Sequence, residues 1–136
     1  MMFDSSTKFL IADDTKTIRT MLRDILEKLG FNDVHEAEDG QQALSMMKSA
    51  IAEKNPFQFI ICDWNMPNMT GLDLLEARNA DPRFVNVPFL MITIESERDY
   101  VLRAVALGVS DYVVKPFSES TIKTKLQSIW NRLQRG

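Results

Sequence analysis

Asp63 sits inside the stretch "FIICDWNMPNM" (59–69), where an apolar run meets a carboxylate and then Trp64, Asn65 and Pro67. Other apolar runs stop in a similar way. "KFLIA" (8–12) ends at Asp13 and Asp14, "PFLMIT" (88–93) ends on Thr93, and "YVV" (112–114) runs into Lys115. Any strand must end on something polar, so one such residue carries little weight, and Thr93 alone is evenly balanced. Three acids, a hydroxyl and an amine on one rim need a common cause. Carboxylates packed together repel, a pair ~4 Å apart by about 4 kcal/mol at an effective dielectric of about 20. A proton or a cation must relieve this. A hard divalent ion held by one or two carboxylates, a backbone carbonyl and water is the magnesium pattern, and magnesium commonly brings a phosphate with it. Lys115 can then place a point charge on a phosphoryl oxygen, and Thr93 can donate its hydroxyl to another. Asp63 can serve as a carboxylate nucleophile that forms an aspartyl phosphate.

Such a rim needs strands that run the same way. The apolar runs at 8–12, 57–62, 88–93 and around 112–114 are too continuous for strands with one wet face, and a more polar run at 33–37 reads as an edge strand. Between them lie helical patterns. Ile18, Met21, Leu22, Ile25, Leu26 and Leu29 recur at three- and four-residue steps before the stop signal Gly30. Ala43, Leu44, Met46, Met47, Ala50 and Ile51 share most of a second helical face. A third helix is predicted from about Gly71, a fourth from about Ser96 to Leu107, and a fifth carrying Ile122, Leu126, Ile129, Trp130 and Leu133. Strictly alternating strands and helices imply parallel strands, right-handed crossovers and helices on both faces, a three-layer α/β sandwich. Ligands of such sheets bind at the carboxyl ends of the strands.

Composition narrows the function classes. The chain has 136 residues, enough for one domain with a single core. A net charge of −3 argues against a nucleic-acid footprint, and no stretch approaches a membrane span. The start "MMFDSSTK" has neither the basic nor the apolar region of a signal peptide, so a cytoplasmic protein is expected. The single cysteine, Cys62, cannot form an internal disulfide and is expected to pack as a small hydrophobe. His35, the only histidine, falls on the presumed edge strand and reads as a surface residue. The methionines mostly occupy core spacings, Trp130 reads as packing, and Trp64, beside the site, is expected to be partly exposed.

"LIADD", "CDWNMPNMTG", "LMITIE" and "DYVVKPF" together resemble the receiver domain of two-component response regulators, especially its single-domain chemotaxis members, from Lys8 to about Leu133. The resemblance implies a doubly wound (βα)5 sheet with strand order 2-1-3-4-5. It implies that Asp63 is the phosphoacceptor, that Asp14 binds Mg2+ directly, that Asp13 holds metal-bound water, and that the Asn65 backbone carbonyl completes the metal sphere. Thr93 matches the switch hydroxyl, Lys115 the phosphoryl-binding lysine before a cis proline, and Tyr112 the aromatic that follows Thr93 inward. Asn65, Ile94 and Glu95 match positions bearing on phosphoryl lifetime and access. A histidine kinase is the implied donor, with the flagellar motor switch protein and a phosphatase as further partners. The implied protein is a monomeric switch, not an enzyme beyond its own phosphorylation and dephosphorylation, signalling through the fourth helix, fifth strand and fifth helix. The chain ends just after the fifth helix, so no effector domain is expected.

Some positions depart from the family pattern. Ile94 replaces the usual alanine or glycine, Thr70 replaces an aspartate with another competent N-cap, and Glu97, Asp111 and Ser128 make the output face less basic than in chemotaxis regulators. A receiver in a non-motility phosphorelay is therefore the alternative function. A flavodoxin-like carrier shares the architecture, but Asp13 and Asp14 would repel a flavin phosphate and "DDTKTIRT" lacks a glycine. An aspartate-dependent phosphatase lacks its usual Asp-x-Asp pair here.

Overall fold

The computed structural model describes residues 3–94 and 98–135. Among them, strands and helices alternate as β1 (Lys8–Ala12), α1 (Lys16–Lys28), β2 (Asp33–Ala37), α2 (Gly40–Ala52), β3 (Phe59–Asp63), α3 (Gly71–Ala80), β4 (Phe89–Ile94), α4 (Arg98–Ala106), β5 (Asp111–Lys115) and α5 (Glu119–Arg135). All the strands pair in parallel, in the order β2-β1-β3-β4-β5. This is the order the family resemblance implies, with the more polar β2 at an edge.

The continuous apolar runs follow from burial on both faces. Successive strand side chains alternate in direction. Phe9, Ile11, Phe59, Ile61, Leu90 and Ile92 pack with Leu22 and Leu26 of α1 and with Ile122, Leu126 and Ile129 of α5. Leu10, Ala12, Ile60, Cys62 and Met91 pack instead with Met47 of α2, Leu72 and Leu75 of α3, and Ala104 of α4. Cys62 is wholly buried, as its setting in an apolar run implies.

Some boundaries and faces differ from the sequence expectation. The third strand begins at Phe59 rather than 57. Phe57 is buried outside the ladder, edge-on to His35 and beneath the Lys8 ammonium at 4.5 Å. Met21 is 41% exposed and Leu133 50% exposed, so neither belongs to the core. Met21 lies about 100° round the helix from buried Leu22, and Arg19, on the other side of Leu22, is buried instead. Trp130 is half-buried against Phe3. The predicted start of the fourth helix at Ser96 lies outside the described residues.

The turn after Asp63 is fixed at both ends. The Trp64 amide donates to the Ile92 carbonyl at 2.8 Å, extending the β3–β4 ladder by one residue. The Gly71 amide then donates to the Trp64 carbonyl at 2.9 Å, and the Gly40 amide to the Met69 carbonyl at 3.1 Å. Asn68 takes a left-handed conformation that asparagine tolerates, at φ 65°. Thr70 caps α3 in a reciprocal capping box with Asp73, as its N-cap assignment requires. A Cβ on Gly71 would collide with the Asp63 carbonyl oxygen and lie 2.9 Å from Met91 Sδ. Gly71→Ala is therefore expected to lower stability by about 2–3 kcal/mol, as overpacking in a rigid site does, measurable by urea denaturation.

Candidate functional site

Four strands deliver their polar ends to one rim. Asp13 follows β1 and is fully buried; its amide continues the pairing with β2 through the Ala37 carbonyl at 3.1 Å. One of its carboxylate oxygens accepts from the Thr15 amide at 2.7 Å, which orients the group. Asp14 beside it faces solvent. Asp63 is the last residue of β3 and 5% exposed. Lys115 ends β5, and its Nζ lies 3.2 Å from Asp63 Oδ1 and 3.4 Å from Asp13 Oδ2. The following Lys115–Pro116 peptide is cis, as the resemblance implies.

Thr93 is buried near the end of β4, and among the described residues its hydroxyl makes a long 3.3 Å contact to the Ile94 carbonyl. A contact this long is readily exchanged for a shorter one to a new acceptor. Ile94 is 46% exposed and lines the same cleft, about 220 Å3 in volume, with Asp14, Asp63, Asn65 and Lys115. Tyr112 is half-buried in β5, in an adjoining recess with Ile94 and Val101. Glu95 lies outside the described residues. His35 is outside the cleft, its half-exposed ring 2.6 Å from Asp33.

The acids fit a divalent cation. Oxygens of Asp13, Asp14 and Asp63 lie within 4.8 Å of one another, a donor set of hard oxygen atoms with the Lys115 ammonium beside it. Burial, reinforced by Asp13 and more weakly by Asp14, raises the Asp63 carboxyl to about 6 against the pull of Lys115. Its anionic form thus lacks compensation that a cation would supply. Cys62 is no competing donor, because burial and the neighbouring Asp63 and Asp13 push its thiol well up and keep it neutral.

The expected partial exposure of Trp64 is corrected: it is 8% exposed. Its indole stacks on Tyr100 of α4, ring centroids 4.3 Å apart and planes 17° from parallel. A residue next in sequence to an open site reads as open; a cover from another helix leaves no local signal.

Sequence reasoning also missed Arg19. Its buried guanidinium donates from Nη1 to the Asp13 carbonyl at 2.6 Å and from Nε to Glu36 at 3.1 Å, tying the turn after β1 to β2. Its spacing three residues before Leu22 was the available signal. An arginine on the apolar side of a helix needs buried acceptors.

Comparison with known proteins agrees with this geometry. The family model for the response regulator receiver domain matches residues 9–127. The chain belongs to that family. The receiver is 43% identical over 132 residues to chemotaxis protein CheY-3 of Vibrio cholerae, covering 97% of this chain and 98% of that protein. It is 44% identical over 126 residues to chemotaxis protein CheY of Pseudomonas aeruginosa, covering 93% and 98%. Among solved structures, Vibrio cholerae CheY4 superposes with a TM-score of 0.79 at 34% identity, covering 91% of this chain and 98% of that one. The receiver is a phosphorylation-dependent switch of two-component signalling whose phosphoryl donor is a histidine kinase. Among its described residues, no helix is long and apolar enough to cross a membrane.

Proposed function

We propose that Asp63 accepts the phosphoryl group, and that Asp13, Asp14, Asp63 and the Asn65 carbonyl hold Mg2+. The observation that carries this reading is the Lys115 ammonium bridging Asp63 and Asp13 beside a third carboxylate. When bound, magnesium neutralises charge on the phosphoryl oxygens. An Asp63 oxygen forms the new P–O bond as the P–N bond of the donor phosphohistidine breaks, and the electron pair of that bond returns to the imidazole. Lys115 lies close enough to Asp63 to stabilise an equatorial oxygen of the transferring group. Reset is hydrolysis: water attacks phosphorus, the P–O bond to Asp63 breaks, and carboxylate and inorganic phosphate are released. The receiver itself turns over no other substrate.

Thr93 turning toward the phosphoryl group, with Tyr112 moving into the space beside it, is the proposed switch. A swing from 1:99 to 99:1 needs about 5.5 kcal/mol of differential stabilisation. The names of the relatives support chemotaxis as the pathway; in this reading a cytoplasmic monomer signals from α4, β5 and α5 to the flagellar motor switch protein and is reset by a phosphatase. The alternative, a phosphorelay outside motility, is favoured by Asp111, which lies 3.1 Å from Lys125 and 3.6 Å from Arg132 and so neutralises cations on that face. Pull-down with the switch protein's amino-terminal peptide separates the two: capture dependent on phosphorylation supports motility, and no capture supports the alternative.

The acceptor assignment is tested by Trp64 emission during titration with phosphoramidate and Mg2+, with Asp63→Asn correcting for Trp130. A saturable change lost in the variant is expected; an equal change in both would overturn the assignment. Ile94→Ala removes an exposed branched wall of the cleft. Phosphorylation by phosphoramidate is expected to run several-fold faster in this variant, and stopped-flow emission at equal donor concentration measures the ratio.

A further inference from the structure

We propose that Tyr100 is a positioning residue for the Asp63 site: it holds Trp64 as a wall of the phosphoryl cleft and thereby sets how readily water reaches the acyl phosphate. The inference rests on the assignment of Asp63 as phosphoacceptor.

Trp64 follows Asp63 directly and lines the cleft with it. Its backbone is pinned on both sides, through its amide to Ile92 and its carbonyl to Gly71. The position of the indole is therefore decided by what packs against the ring. Beside the core cluster that the indole joins, Tyr100 supplies a near-parallel stack while remaining 38% exposed itself. One helix residue thus braces the cleft from behind without entering it.

The brace works only if α4 is held in place. Ala104 is the only described residue of α4 that is fully buried, so the helix has little core of its own. Its far end is tied to α3 by polar contacts. Asn79 Nδ2 donates to the Leu107 carbonyl at 2.6 Å, and Arg78 Nη2 donates to the Gly108 carbonyl at 3.2 Å. Arg78 is buried, and its Nη1 also donates to the Val87 carbonyl at 2.7 Å. With that end fixed by α3, the Trp64–Tyr100 stack links the other part of α4 to the residue beside the phosphoacceptor.

Aromatic stacks of this kind shift equilibria about two- to tenfold. Loss of the stack lets the indole leave the wall and admits water, which attacks phosphorus and releases Asp63 as carboxylate with inorganic phosphate. The test loads wild type, Tyr100→Ala and Tyr100→Phe with phosphoramidate and Mg2+, removes the donor, and follows phosphate release. Tyr100→Ala is expected to hydrolyse about two- to tenfold faster than wild type, with Tyr100→Phe at the wild-type rate because its ring still stacks. Melting temperature is recorded alongside, since a merely structural role would lower it without shortening the phosphoryl lifetime. A wild-type rate in Tyr100→Ala, or equal acceleration in Tyr100→Phe, would overturn the inference while leaving the acceptor assignment standing. No phosphoryl uptake by the wild type would overturn the acceptor assignment and this inference with it.

Discussion

Asp63→Asn is expected to abolish phosphoryl acceptance and, in the metal-free protein at about pH 8, to raise thermal stability. An amide nitrogen and a carbonyl oxygen are poor nucleophiles toward phosphorus, so loss of transfer should be complete. The stability gain follows from the electrostatics of the cluster. Burial and Asp13 raise the folded-state carboxyl from 3.8 to about 6. A carboxyl raised on folding makes the native state bind more protons than the unfolded chain between those two values. Stability of the metal-free wild type therefore falls as pH rises from about 4 through about 6, and the loss is complete by about pH 7. Each tenfold change in proton affinity is about 1.4 kcal/mol, so the upper bound is about 3 kcal/mol. Solvent screening at the cleft reduces the expected gain in Asp63→Asn to about 1–2 kcal/mol. Added Mg2+ is expected to stabilise the wild type and to narrow the difference, because binding to the native state alone adds stability by mass action. Urea unfolding at about pH 5 and about pH 8, with and without Mg2+, measures all these effects.

Lys115→Met is expected to slow phosphoryl transfer about 100- to 1000-fold, as removal of one preorganised charge from a transition-state site does. Among the described residues, Lys115 alone forms ion pairs with Asp13 and Asp63. Arg19, the other cation nearby, donates to the Asp13 backbone carbonyl and to Glu36, so it cannot replace Lys115 at the phosphoryl group. Methionine keeps much of the aliphatic length and removes only the charge. Rates over a range of phosphoramidate concentrations separate the effect: the maximal rate should fall, with the half-saturating concentration changing less.

The rim of the sheet was legible because buried parallel strands leave continuous apolar runs, and each run stops where its strand leaves the core. Asp13, Asp63, Thr93 and Lys115 were found in this way and do converge. The strand order was legible only through family resemblance, since periodicity says nothing about which strands are neighbours. Side-chain cover was less legible. Trp64 is buried within the core cluster on one face of the sheet and stacks on Tyr100 of α4, far away in sequence. Phe57 looked like strand because it is apolar, but it is buried in the core cluster before the ladder begins, with His35 edge-on and the Lys8 ammonium over its ring. Arg19 and Arg78 were missed because arginine usually marks a wet face. Both are buried here and donate to backbone carbonyls of other segments.

The most direct test of the account is to locate the phosphoryl group by mass spectrometry after brief exposure to phosphoramidate. The result expected is one hydroxylamine-labile phosphoryl group on the peptide containing Asp63, dependent on Mg2+ and absent from Asp63→Asn. Phosphate on another peptide, or equal incorporation in Asp63→Asn, would contradict it.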